Sequence, residues 1–151
     1  MKARVIWIVL LVIVVGIQFV PSGLPMVVKE NNNDLLLNNT VPDSVAVLLK
    51  AACYDCHSNE SNYLWYSYVA PVSWLIARDV NLGKKELNFS NWESLKKMKK
   101  AQYLDEIYEA VSDRSMPMEI YPIMHPEAKL TKNHRALIAD WAEGFAEELF
   151  K

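Results

Sequence analysis

The sequence predicts an all-α domain of about 110 residues carried behind a single apolar N-terminal helix. Two observations carry this. Lys2 and Arg4 precede an unbroken, nearly uncharged run over residues 5–20, which Pro21 and Gly23 end. Beyond residue 41, apolar side chains recur at spacings of three and four, with helix-start signals at Pro42-Asp43-Ser44, Pro71, Ser90 and Thr131.

Residues 1–24 read as a membrane signal or anchor. Sixteen residues span roughly 24 Å, a little short of a hydrocarbon core of about 30 Å, and snorkelling by Lys2 and Arg4 covers part of the difference. No Ala-x-Ala site follows, and Val20-Pro21-Ser22 is a weak substitute. A retained single-pass anchor is expected, with the basic end inside and the remainder outside; a cleaved secretory peptide is the alternative. Residues 25–41 form an expected linker. Asn31-Asn32-Asn33-Asp34 and Asn38-Asn39-Thr40 suggest a tether with turn chemistry. The triplet Leu35-Leu36-Leu37 between them is expected to dock on the domain.

The domain proper covers residues 42–151. Its first helix carries Val45, Leu48, Leu49 and Ala52 on one face. Pro71 opens a second, with Val72, Leu75, Ile76 and Val80 as the expected stripe. Ser90-Asn91-Trp92-Glu93 has the form of a capping box for a third. A fourth covers about residues 101–112. Residues 116–130 hold three prolines and read as a loop, and Thr131 caps a last helix striped by Leu137, Ile138, Trp141, Phe145 and Leu149.

Chemistry concentrates in Cys53-Tyr54-Asp55-Cys56-His57. Cys-x-x-Cys-His is the attachment pattern of c-type haem. Two thiols three residues apart share a helix face and can add across the two vinyl groups of one porphyrin. His57 lies on that face as the proximal iron ligand. A thioredoxin-like pair expects a β-α-β context, and no convincing strand lies nearby. Zinc needs two further ligands, yet the chain has no other cysteine, and His125 and His134 are too far apart for the usual pair. Transport across a membrane agrees with covalent haem. One haem c is therefore expected, in a small cytochrome c-like helical domain. For the sixth iron position the loop offers Met116, Met118, Met124 and His125. Met116 is preferred, because Pro117 stiffens the backbone beside it and a thioether favours ferrous iron; His125 is the main alternative.

Cys53–Glu60, Tyr66–Trp74, Glu86–Trp92, Met116-Pro117 and His125–Leu130 together resemble the small bacterial haem-binding domain proteins, single-haem and cytochrome c-like, over roughly residues 40–145. The resemblance implies Cys53 and Cys56 as attachment sites and His57 as proximal ligand, and it implies no particular reaction. By similarity to cytochromes c more widely, the His57 ring N–H is expected to donate to a proline carbonyl, for which Pro71 is the counterpart.

Two function classes follow. The first is a membrane-anchored periplasmic electron carrier with His57/Met116 iron, serving redox partner proteins or a respiratory complex at the inner membrane. The second is a haem peroxidase or gas or redox sensor with an open or displaceable sixth site, where His125 or Glu127 would act as the distal acid–base group. Trp65, Tyr66, Trp74, Trp92 and Trp141 are candidates for haem walls or ordinary core. Lys96, Lys97, Lys99 and Lys100 are either a docking patch or a solvated helix face. The chain has 16 basic and 18 acidic residues, and two of the basic ones precede the apolar run. Nucleic acid is not an expected partner.

Overall fold

A computed structural model describes residues 2–151, and among these there are helices and turns but no strand. Helix α1 (Lys2–Gly16) continues into a 3-10 turn, Ile17–Phe19. Together they make 18 residues of mean hydropathy 2.1 with no buried side chain. At 1.5 Å per residue that is about 27 Å, long and apolar enough to cross a membrane.

The segment after it is less free than a tether. Residues 20–31 lack regular secondary structure, but hydrogen bonds pin them along the domain. The Gly23 carbonyl accepts from Asn81 (3.2 Å), and the Pro25 carbonyl accepts from the Tyr63 hydroxyl (3.1 Å). Val28 N–H donates to the Asn59 carbonyl at 2.8 Å. The leucine triplet winds into the short helix α2 (Leu35–Asn38), capped by Asp34, whose carboxylate accepts from Leu36 N–H at 2.9 Å. Leu35 is fully buried and Leu36 packs on the core, while one helical turn carries Leu37 out to solvent.

Helix α3 (Asp43–Ala52) buries Val45, Leu48, Leu49 and Ala52, as its spacing predicts. At Cys53 the backbone leaves helical geometry (φ −127°), so the motif forms a separate turn, α4 (Tyr54–His57). A 3-10 turn at Trp65–Tyr68 leads to α5 (Val72–Glu86). Its buried face is Ser73, Ala77, Val80 and Gly83, whereas Val72 and Leu75 of the expected stripe are exposed. Small side chains win this face because α5 lies close against α4.

The capping box expected at Ser90 does not form. Phe89–Ser94 is a 3-10 turn capped by Asn88, and Glu93 bonds Asn39 (2.9 Å) and Lys100 (3.0 Å) instead of its own helix start. Helix α6 (Lys97–Ser112) follows. The loop holds the short α7 (Tyr121–Met124) and a 3-10 turn, Pro126–Ala128. Thr131 caps α8 (Lys132–Glu148) as expected, in a capping box completed by His134. On α8, Ile138 is buried with Ala139 and Ala142, while Leu137 is exposed.

Helices α6 and α8 form the main pair, with α3 against α8. Trp92, Phe89, Leu35, Leu49, Leu104 and Ile138 are the largest buried apolar side chains at the centre. Each stabilises the fold by about 1.5–3 kcal/mol on burial. The lysine run opens α6, where the helix dipole disfavours cations. Aromatic faces offset this: Lys97 lies over Phe150 (4.9 Å), Lys99 over Tyr103 (4.2 Å) and Lys100 over Trp92 (5.8 Å).

Candidate functional site

The α4 turn places Cys53, Cys56 and His57 together, with backbone bonds from Cys56 N–H (3.2 Å) and His57 N–H (2.9 Å) to the Cys53 carbonyl. Both thiols are free and half-buried. Burial pushes the Cys53 thiol up to about 12, helped by Cys56, and burial with the Asp55 charge pushes Cys56 up to about 11. The folded chain thus keeps both sulfurs protonated.

His57 Nδ1 lies 3.1 Å from the Leu87 carbonyl. A carbonyl oxygen only accepts, so Nδ1 carries the proton and the Nε2 lone pair is left for a ligand role. Burial lowers the ring's pKa and favours this neutral form, against a smaller opposing effect of the Leu87 and Gly83 backbone. The acceptor is therefore Leu87, where Pro71 was expected. Pro71 precedes α5, and its carbonyl accepts from Trp74 N–H at 3.2 Å. The reason lies in the packing. Gly83, near the C-terminal end of α5, rests on the motif so closely that a Cβ there would lie 2.6 Å from the Cys56 carbonyl oxygen. The chain leaving that end delivers Leu87 to the imidazole, and Phe89 follows to stack on Tyr54 (5.0 Å) and meet the His57 ring edge-on (6.4 Å).

The two central motif residues are also held from afar. Tyr54 donates to the buried Asp34 carboxylate at 3.0 Å, and Asp55 accepts from the Tyr121 hydroxyl at 2.7 Å. Burial, then the Asp55 carboxylate, raises the Tyr121 pKa well above the ordinary phenol value. Tyr121 stacks on His125 at 4.2 Å. The buried His125 ring directs Nδ1 to Glu127 (3.3 Å) and Nε2 to the Tyr66 hydroxyl (2.6 Å). Iron could reach His125 only by displacing one of these partners.

Met116 begins the loop. Its N–H donates to the Ala110 carbonyl (3.0 Å) and its carbonyl accepts from Arg135 Nη1 (2.7 Å). Its side chain is 38 % exposed, and Met124 is exposed as well. Met118 is half-buried.

These residues suit a haem. Two thiols and an imidazole whose Nε2 is left for a ligand role share one turn. Residues 12–144 match the model of the haem-binding domain family. The chain belongs to that family. No curated protein and no solved structure matches it. In this haem-binding domain, Cys53, Cys56 and His57 are visible in the sequence as a motif. Leu87 and Gly83 are not, because one acts through its carbonyl and the other through having no side chain. Gly83 did leave a trace, as the only glycine between Gly23 and Gly144.

Proposed function

We propose that this haem-binding domain protein is a membrane-anchored c-type cytochrome that carries electrons on one covalent haem, its domain lying on the periplasmic side of the inner membrane. The observation that carries the reading is the His57 ring, fixed by its Nδ1 bond to Leu87 and flanked by two thiols on the same turn. Cys53 and Cys56 would hold the porphyrin through thioethers, His57 Nε2 would bind iron on one side, and Met116 would bind on the other. Haem in such a setting supplies a one-electron iron couple. The Leu87 carbonyl fixes the ring orientation and raises its basicity. Burial around Phe89 and Tyr54 limits the reorganisation that accompanies a change of charge.

Both His125 nitrogens are directed at protein partners, Glu127 and Tyr66, so a distal acid–base role for His125 would require the Tyr66 bond to break first. Redox partner proteins or a respiratory complex would supply and accept the electrons.

The test is to express the whole chain with haem-attachment machinery. Haem should remain on the protein in a denaturing gel, and Cys53→Ala/Cys56→Ala should lose it. The ferric optical band of methionine-bound iron should be present and disappear in Met116→Ala. Haem that washes out under denaturation refutes the c-type assignment. A high-spin ferric spectrum that responds to peroxide or carbon monoxide refutes the carrier.

A further inference from the structure

The apolar N-terminal helix and the domain are joined at one side chain. Gln18 lies in the last turn of the 18-residue apolar span. Its amide oxygen accepts from Ala70 N–H (3.0 Å), and its amide nitrogen donates to the Ala70 carbonyl (3.2 Å) and to Val14 (2.9 Å). A primary amide at the edge of hydrocarbon needs its polar atoms satisfied, and here a peptide unit of the domain satisfies them. Geometry then fixes depth. The span is about 27 Å against a hydrocarbon core of about 30 Å, so no slack remains to lift Gln18 well clear of the bilayer. Ala70, bonded to it in both directions, must lie at headgroup level too.

The neighbours of Ala70 have the composition that this depth selects. Tyr68 lines the same small cleft as Gln18 and Phe19. Phe19, Tyr68, Val69 and Val72 are all exposed large apolar side chains, at 84, 66, 42 and 41 %. Tyrosine and other aromatics concentrate at membrane–water interfaces, where an apolar ring and a polar tip can both be accommodated. Further along, the bonds from Asn81 to Gly23 and from Tyr63 to Pro25 hold residues 20–25 against the domain.

We propose that this face, Phe19 with Tyr68, Val69 and Val72, lies in the lipid headgroup layer, and that the Gln18–Ala70 pair sets the domain at one fixed angle to the membrane. The inference rests on the retained anchor of the proposed function. Fixed orientation would present the same edge of the domain to partners in the plane of the membrane, where a flexible tether would sample all directions.

The experiment uses the full haem-loaded chain in stacked oriented bilayers and records the ferric haem electron paramagnetic resonance spectrum as the sample is rotated. The wild type should give a spectrum that changes with angle. Gln18→Leu keeps the span apolar but removes the pair, and its spectrum should lose the angular dependence at unchanged haem content. Val69→Asp, which puts a charge in the headgroup layer, should weaken the dependence. An angle-independent wild-type spectrum from haem-loaded, membrane-retained protein overturns the proposal and leaves the anchor standing. An unchanged Gln18→Leu spectrum overturns the role of the pair. Mass analysis showing loss of residues 1–20, or release by alkaline wash, sinks the anchor and the proposal together.

Discussion

Gly83→Ala tests how the motif is supported. The new Cβ would sit 2.6 Å from the Cys56 carbonyl oxygen, 3.1 Å from its carbonyl carbon and 3.2 Å from its Cβ. An ordinary C···O contact is about 3.3 Å or more, so α5 must retreat by roughly 0.7 Å. A backbone carbonyl cannot swing aside as a flexible side chain can. Overpacking of this kind costs about 1–3 kcal/mol, against about 1 kcal/mol gained in helix propensity. The net expectation is a loss of up to about 2 kcal/mol. Gly144→Ala in α8 is the matched control, because nothing lies within 4 Å of its Cβ position. It should gain about 0.5–1 kcal/mol. At about 4 °C per kcal/mol, thermal unfolding should place Gly83→Ala below Gly144→Ala by about 2–12 °C. A second readout follows the chain. Leu87 N–H donates to the Gly83 carbonyl at 2.9 Å, so the retreat would drag the Leu87 carbonyl from His57. Their 3.1 Å bond would lengthen toward about 3.8 Å, outside hydrogen-bonding range. Nitrogen NMR of the imidazole would register the loss. Equal melting of the two variants, with the His57 signal unmoved, refutes the reasoning.

Three further outcomes are expected. The haem-free chain should lose stability as pH rises through the window from about 9 to about 12: both thiols titrate higher when folded, so the folded state holds more protons there, and their stabilising effect is complete below the unfolded value and fades above it. Alkylation at pH 8 should accordingly be some tens of times slower at folded Cys53 than in the unfolded chain, the smaller thiolate fraction being partly offset by the greater nucleophilicity of a high-pKa thiolate, and equal rates would contradict the burial described. Tyr121→Phe should cost about 1.5–3 kcal/mol, the range for a hydrogen bond to a charged group, and should speed amide exchange across residues 116–128; unchanged exchange would mean that the Asp55 bond does not hold the loop. Arg135→Ala removes the donor to the Val111 and Met116 carbonyls and should weaken or abolish the optical band of methionine-bound iron, whereas an unchanged band would show that Met116 is positioned without it.

Helical periodicity and capping chemistry made α3, α6 and α8 legible, because each buries a face against neighbours that themselves follow the periodic pattern. Of the stripe expected on α5, Val80 is buried but Val72 and Leu75 face solvent, because periodicity rewards large apolar residues whereas close approach to α4 selects Ser73, Ala77 and Gly83. The Ser90 capping box failed because Glu93 finds Lys100 and Asn39, partners remote in sequence. At the site, the grouping of Cys53, Cys56 and His57 was legible as a motif, and the structure gathers the three around one turn. The carbonyl of Leu87, the platform of Phe89 and the grip of Tyr121 on Asp55 depend on chain return paths that local pattern does not encode. The strap over residues 20–31 was hidden similarly, since it is held through the Gly23 and Pro25 carbonyls and the Val28 N–H, backbone groups whose partners composition does not reveal.

The acceptor for His57 lies 30 residues downstream of it, and Phe89 lies further still. A chain made from its N-terminus presents both cysteines before it presents the elements that bury them. In that interval the thiols are exposed and titrate normally; once α5, Leu87 and Phe89 close, they are shielded and protonated. Folding therefore acts as a deadline for any covalent chemistry at Cys53 and Cys56, and a variant that closes more slowly would gain time for it at the expense of stability.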